Sequence, residues 1–396
     1  MKVLVLLSRV PYPLEKGDKL RAYHLVRRLA RDHEVHLFCL SDTPIDPTHL
    51  DHLRAFCRSI EVVRIRRWRI LLKLAQALFS RLPFQVAYFH HRHAQRRVDA
   101  LIRDLRPDHV LCQLVRTTEY VREHHHMVRT LDLMDTLSKG MERRTENAPF
   151  YLRPVFRTET RRLVRYENLM LDLFDHSTII SAQDQAFIYH PARKGMVVVP
   201  NGVDTDYFTP QDVPKAYDLL FTGNMNYPPN IDSVHYLVRR VLPLVRQQRP
   251  NTNLLICGVD PSPTVRALAT HDPLITVTGW VPDIRKAYAE ARIFVAPMQI
   301  GTGLQNKLLE AMAMGLPCIT SALANNAVGA PPDDAILIGE TPEDYAAHIL
   351  RLLDDAQARD RLAHNGLAFV RSHFDWDQAA ATIDRLIRQG RRDPLA

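Results

Sequence analysis

The stretch from Ile293 to Thr320, IFVAPMQIGTGLQNKLLEAMAMGLPCIT, constrains the fold of this chain more than any other. Its apolar opening, IFVAP, reads as a buried strand. A glycine-bearing loop follows, then a helix opening near Gln305, then a second apolar strand, PCIT. A parallel sheet places such a loop at the carboxyl edge of its strands, where helix amides and polar side chains converge on ligands. Lys307 and Glu310 are three residues apart, so they share one helix face near its amino end. A cation beside helix amides suits a phosphate, and a carboxylate one turn further in suits paired sugar hydroxyls. Together they describe a clamp for a nucleotide sugar. The competing reading is an ordinary βαβ crossover whose Lys307 and Glu310 are merely solvated.

The segment resembles the donor-binding motif of glycosyltransferase family 4, enzymes of the two-domain GT-B type. The likeness rests on Glu310 and the run AMA-x-G-x-P at Ala311, Met312, Ala313, Gly315 and Pro317. That family frames the motif with two glutamates; Glu310 falls on the second, and Thr302 stands where the first is expected. The resemblance thereby implies that the ribose carboxylate is kept while Thr302 replaces the glutamate that contacts the transferred sugar in that family. The form GTGLQNKLLEAMA is similar to a subgroup that includes sugar transferases associated with exosortase/PEP-CTERM systems. The resemblance implies a donor set of Thr302, Gly303, Leu304, Gln305, Asn306, Lys307 and Glu310.

A length of 396 residues favours two domains, and 46% hydrophobic against 24% charged residues is the balance of a globular chain. Strands expected at 3–7, 35–39, 61–63 and 109–112, with a helix at about 20–30, describe a doubly wound parallel sheet. A second alternation brings strands at 218–222, 253–257, 276–278 and 335–338, with a loop at 223–230 and a helix at 231–241. Between the halves, VVVPNGVDTDYF resembles the family's interdomain linker at Pro200, Asn201, Gly202, Val203, Asp204 and Phe208. Phe374-Asp375-Trp376-Asp377 resembles a segment that precedes a helix crossing back to the first domain. The implied fold class is α/β, GT-B, two Rossmann-like domains facing across a cleft. Its boundaries are 1–197 for the first domain, 198–210 for the linker, 211–372 for the donor domain and 373–396 for the returning helix.

Diphosphate binding needs backbone that can approach closely, which Gly223 and Asn224 offer after the first strand of the second half. Relatives often place cations there; Asn224, Met225 and Asn226 stand here, so Lys307 must carry more of the phosphate charge. FTGNMNYPPN also resembles the exosortase-associated subgroup. Gly279, Trp280 and Val281 sit where the family's base-binding loop lies, and the resemblance implies that they hold the nucleobase through backbone groups. In the first half, Gly17, Asp18, Lys19 and Arg21 follow strand one, where the family sets a glycine loop near phosphate and acceptor; an ordinary βα loop is the alternative. Asp132 and Asp135, in LDLMD at the end of a strand, are candidates with Lys307 for the catalytic set, positioning or deprotonating the acceptor hydroxyl. A helix N-cap is the rival reading.

Asp204-Thr205-Asp206 has the form of a metal-binding DxD, but its place inside the linker argues against that role. His124, His125 and His126 are adjacent and point in different directions, as a surface turn does. No metal and no cofactor beyond the nucleotide diphosphate sugar substrate is expected. A net charge of +8 and a pI near 9.3 favour an anionic partner. The densest basic cluster runs from Arg64 to Arg69 around Trp68 and leads into an apolar segment at 70–79, far short of a membrane span. It reads either as an interfacial helix on an anionic inner leaflet or as a buried helix with a solvated basic flank. No nucleic-acid motif accompanies the charge. Five cysteines, odd and widely spaced, and a first strand without a signal-peptide cleavage pattern point to the reducing cytoplasm.

The resemblance implies a retaining, metal-independent transferase acting on a glycan or polyprenyl-linked acceptor in surface-glycan biosynthesis. A non-hydrolysing sugar-nucleotide epimerase and a non-catalytic GT-B scaffold subunit are the alternatives.

Overall fold

Alternating apolar runs build two parallel sheets in the computed structural model, which describes residues 1–14, 16–146, 148–300 and 303–390. The first sheet joins β1 (Lys2–Leu7), β2 (Glu34–Ser41), β3 (Ser59–Arg64), β4 (His109–Gln113), β5 (Val128–Asp132), β6 (His176–Ile179) and β7 (Val197–Val198). Its spatial order among the described residues is β3-β2-β1-β4-β5-β6-β7. The second joins β8 (Tyr217–Thr222), β9 (Leu254–Cys257), β10 (Ile275–Val277), β11 (Ala291–Ala296), β12 (Cys318–Thr320) and β13 (Leu337–Ile338), in the order β10-β9-β8-β11-β12-β13. Both orders double back on the first strand, the arrangement of a doubly wound sheet.

Side-chain alternation along β1 explains why both faces are covered. Val3, Val5 and Leu7 enter one core with Leu25 and Leu29, while Leu4 and Leu6 enter another with Val98 and Ile102. The chain divides into two compact units, Met1–Pro200 together with the segment from Trp376 onward, and Asn201–Asp375. Helix Trp376–Gln389 belongs to the first unit because its apolar face is buried there. Trp376 stacks on His24 with ring centroids 4.9 Å apart, and Asp377 accepts from Arg28 and Arg31 at 2.9 and 2.7 Å. In the second unit Val203 N donates to Phe374 O at 2.8 Å, so the outgoing and returning strands of the chain run side by side there.

Local chemistry shifts several expected boundaries. The first helix begins at Gly17 and runs to Leu29. The helix expected at 231–241 starts with prolines, as Pro228–Tyr236, then widens into a π-turn at Leu237–Val241 before Leu242–Gln248. Pro243, lacking an N–H, lies just beyond that turn, where an α-helical bond would be lost anyway. The strand expected at 335–338 shrinks to Leu337–Ile338, because Ala335 N turns back to Pro331 O. The cysteines are buried and free.

Candidate functional site

Three strands of the second sheet end in glycine at the carboxyl edge. Gly223 N donates to Cys257 O at 3.1 Å and Gly258 N to Gly279 O at 3.2 Å, which pulls the ends of β8, β9 and β10 together. A Cβ on Gly258 would lie 1.7 Å from Gly223 O, and one on Gly223 would lie 2.6 Å from Asn230 Nδ2. No side chain fits at either position, so this edge is backbone and can meet a phosphate closely.

Helix Asn306–Ala313 aims its two charged residues at that edge. Leu308, Leu309, Ala311 and Met312 are buried in the core of the second unit, which leaves Lys307 and Glu310 half-buried beside the glycines. Lys307 Nζ donates to Asn230 Oδ1 and sits 4.6 Å from the centroid of the Phe221 ring. Desolvation pushes its ammonium down to about 7, against the pull of the Glu310 charge. Glu310 Oε2 accepts from Tyr288 Oη at 2.8 Å, and Tyr288 Oη lies 2.8 Å from Thr222 Oγ1, which donates to it in turn. Burial raises the Glu310 carboxyl to about 7, opposed by the Tyr288 hydrogen bond and by Lys307. Among the described residues Glu310 Oε1 makes no hydrogen bond. Two groups poised near neutrality, one cationic and one anionic, beside a glycine edge form a polar constellation of the kind that active sites concentrate.

The other donor-set residues divide by what already engages them. Asn224 closes its own loop, with Oδ1 accepting from Asn226 N at 2.9 Å and its carbonyl from Asn230 Nδ2 at 2.9 Å. Gln305 Nε2 donates to Gly303 O at 2.8 Å, and Asn306 Oδ1 accepts from Asn201 Nδ2 at 3.4 Å. Leu304 and Val281 pack on the core, while Gly279 takes a φ of +79° that glycine permits. Thr302 lies outside the described residues. Asn230, Tyr288 and Gly258 complete the site, and the sequence reading did not single them out. Asn230 follows the Pro pair of YPPN and Gly258 follows a strand, both visible signals; Tyr288 in KAYAE reads only as a core aromatic.

In the first unit the structure separates residues that the sequence grouped. Arg21 and Asp132 are fully buried and paired face to face: Nε to Oδ2 at 2.7 Å and Nη2 to Oδ1 at 2.9 Å. Arg21 Nη1 also holds Val199 O at 2.8 Å, and Thr178 Oγ1 donates to Asp132 Oδ1 at 2.9 Å. With both carboxylate oxygens occupied away from solvent, Asp132 neither positions nor deprotonates an acceptor, and Arg21 offers no charge to a phosphate. Asp18 forms an ion pair with Arg9 at 2.6 Å and accepts from Lys19 N at 3.1 Å. Around Gly17 an added Cβ would meet nothing within 4 Å. Asp135 lies at the carboxyl edge beyond β5 with part of its surface open to solvent, and the protein crowded around it, followed by the Asp184 charge, pushes its carboxyl above the usual carboxylate range. Asp204 Oδ1 accepts from Tyr207 N at 3.1 Å, a turn contact in the linker. A cavity of about 380 Å³ lined by His176, Met196, Val197 and Leu386 opens at the amino ends of β6 and β7, the wrong edge for a parallel-sheet site.

The fold and site geometry define a class. Two parallel α/β sheets, each doubly wound, constitute the GT-B fold, and solved GT-B structures share it across nearly the whole chain. Sucrose-phosphate synthase from Thermosynechococcus elongatus is similar at 18% identity and a TM-score of 0.70, covering 98% of this chain and 99% of that one. HepE from Anabaena, solved in complex with UDP, is similar at 15% identity and a TM-score of 0.69, over 98% and 100% of the two chains. Residues 216–355 match the family model described as glycosyl transferases group 1. An uncharacterized 44.6 kDa protein in the cps region of Klebsiella pneumoniae is 20% identical over 402 residues, 96% of this chain and 98% of its own. The stretch matched by that family model lies within the second unit, Asn201–Asp375.

Proposed function

We propose that this chain is a retaining, metal-independent glycosyltransferase. It moves a sugar from a nucleotide diphosphate donor to a glycan or polyprenyl-linked acceptor, in the building of capsule or other surface polysaccharide on the cytoplasmic side. The observation that carries the reading is the pairing of Lys307 and Glu310 on one helix face against the glycine edge of β8 to β10. The complex of HepE with UDP and the cps setting of the Klebsiella relative support the donor class and the polysaccharide context. The exosortase-associated subgroup rests on GTGLQNKLLEAMA and FTGNMNYPPN alone.

In this reading the diphosphate lies over Gly223, Gly258 and the start of helix Asn306–Ala313, with Lys307 at its charge. The ribose hydroxyls bond Glu310 Oε1 while Tyr288 fixes the other oxygen. Transfer breaks the bond from the anomeric carbon to the diphosphate, whose oxygen leaves with the electron pair, and forms the bond to the acceptor oxygen on the same face. The acceptor proton passes to a base, for which Asp135 is the candidate. A purified chain that consumes a nucleotide sugar only with an acceptor, and whose product keeps the donor's anomeric configuration by NMR, meets the reading. Conversion of the donor without acceptor would instead identify an epimerase.

Glu310→Gln keeps an acceptor for Tyr288 and removes the charge. Its affinity for a nucleotide sugar, read by calorimetry, should fall by a factor of about 10 to 100, the worth of a charge-assisted hydrogen bond. Binding as tight as the parent's would reject the ribose assignment.

The pH response has two parts of opposite sign. Lys307 is held low, near 7. An anionic diphosphate favours its ammonium, so donor binding takes up protons above neutrality and affinity falls as the pH climbs. Glu310 is held high, near 7, and hydroxyl donors favour its carboxylate, so its share is proton release as the pH drops. Calorimetry in buffers of different ionisation enthalpy should therefore show net uptake in Glu310→Gln and net release in Lys307→Met. The same proton count in both variants would contradict the assignments.

A further inference from the structure

We infer that the first unit docks on an anionic lipid bilayer through the outer face of helix Arg67–Leu78. Between Glu61 and Asp99 the chain carries nine Arg and Lys residues and no Asp or Glu, a local excess larger than the +8 of the whole molecule. Helix Arg67–Leu78 sits inside that tract and has two apolar faces. One is spent in the core, where Ile70 and Ala77 are buried and Leu74 packs between them. The other follows the spacing of a second stripe, Trp68, Leu71, Leu72, Ala75, Leu78 and then Phe79, and all of it is exposed. Leu71 is 68% exposed, Leu78 60% and Phe79 94%. A helix on a water-facing surface turns polar residues outward; this one turns out leucines and aromatics, which favour an apolar medium.

The charge says which apolar medium. Arg66, Arg67 and Arg69 are exposed along the amino end, without a carboxylate partner among the described residues, and the Arg69 guanidinium lies 5.1 Å from the Trp68 ring centroid. Leucines and a Trp flanked by unpaired arginines make an interfacial helix for acidic headgroups. A second copy of the chain would oppose two positive faces, which disfavours it as the occupant. At about 1.5 Å per residue the helix reaches roughly 18 Å, so it lies in the interface. Among the described residues no helix is long and apolar enough to cross a membrane. Arg162, from helix Arg153–Leu173, donates to Ala77 O at 2.7 Å and Leu82 O at 3.2 Å, clasping the carboxyl end of the docking helix. That clasp fixes the helix to the unit, so the exposed stripe is presented as a rigid face.

The position gives the docking a purpose, and here the inference rests on the glycosyltransferase reading. The helix starts directly after β3, whose last residue, Arg64, pairs in register with Ser41 at the end of β2. It therefore grows from the carboxyl edge of the first sheet, the edge that also carries Arg9, Asp18 and Asp135. A lipid-linked acceptor held in the bilayer would reach that edge without leaving the membrane.

The test uses the full chain and co-sedimentation with vesicles of phosphatidylcholine alone or mixed with phosphatidylglycerol. The parent should pellet with the anionic vesicles at low salt and be released as salt screens the charge. Replacing Arg66, Arg67 and Arg69 together by Gln should weaken binding about 100-fold, at about a factor of five for each cation. Leu71→Glu with Phe79→Glu should abolish it. These side chains are exposed, so calorimetric binding of a nucleotide sugar should remain parental in each variant. A parent that stays in the supernatant, or that binds neutral vesicles equally, overturns the inference and leaves the donor reading standing. A dimer by sedimentation velocity that Leu71→Glu dissociates would assign the face to a second copy and overturn it as well.

Discussion

Lys307→Met should lose a factor of about 10² to 10³ in kcat, the usual effect of removing one preorganised donor to a leaving group, while its thermal midpoint stays near the parent's. The expectation follows from where the ammonium sits. It is half-buried over the Phe221 ring, bonded to Asn230, and desolvation already pulls its charge down towards neutrality. Folding gains little from a cation held in that environment, and Met keeps the stem that packs on Phe221 and Met298. Turnover is different, because the charge that develops on a departing diphosphate has no cation in the loop Asn224 to Asn226 to meet it. The comparison that decides is transfer rate against melting temperature in one preparation. A folded Lys307→Met protein with parental turnover would mean that another cation neutralises the leaving group.

How far the sequence foretold this site depends on the distance over which each contact acts. Lys307 and Glu310 were readable because both lie on one short helix, whose period alone puts them together. The strands before and after them were readable as apolar runs. Asn230 and Tyr288 were not, because their partners stand 77 and 22 residues away and only the packing of β8 and β11 brings them in. The first unit shows the opposite error. Arg21 seemed to belong with Gly17 and Asp18 because it is their neighbour in the chain. Helical spacing carried the better signal: Leu25 is one turn further on and buried, so Arg21 lies on the inward face. Asp132 was judged by its place at a strand end, where the Arg21 side chain, 111 residues away in sequence, occupies it. The basic helix left two readings open, buried or interfacial; its geometry has one apolar stripe buried and a second exposed.

Asp132→Ala should destabilise the first unit by about 3 to 5 kcal/mol, the cost of stranding a buried charge without its partner. The Arg21 guanidinium would remain fully enclosed, holding Val199 O and facing an empty carboxylate site beside Thr178. For a unit of this size that energy corresponds to a melting transition lowered by roughly 10 °C. Arg21→Met should cost a similar amount, since it strands the carboxylate instead. The double variant Arg21→Met with Asp132→Leu should recover most of the loss, because both charges leave together and apolar atoms take the space. Calorimetry resolves the point, since nucleotide-sugar binding by Asn201–Asp375 should persist below the lowered transition. If Asp132 instead served the acceptor, Asp132→Ala would keep its midpoint and lose turnover, and the double variant would recover nothing. Parental melting of Asp132→Ala would therefore overturn the assignment of this pair to the structure of the unit.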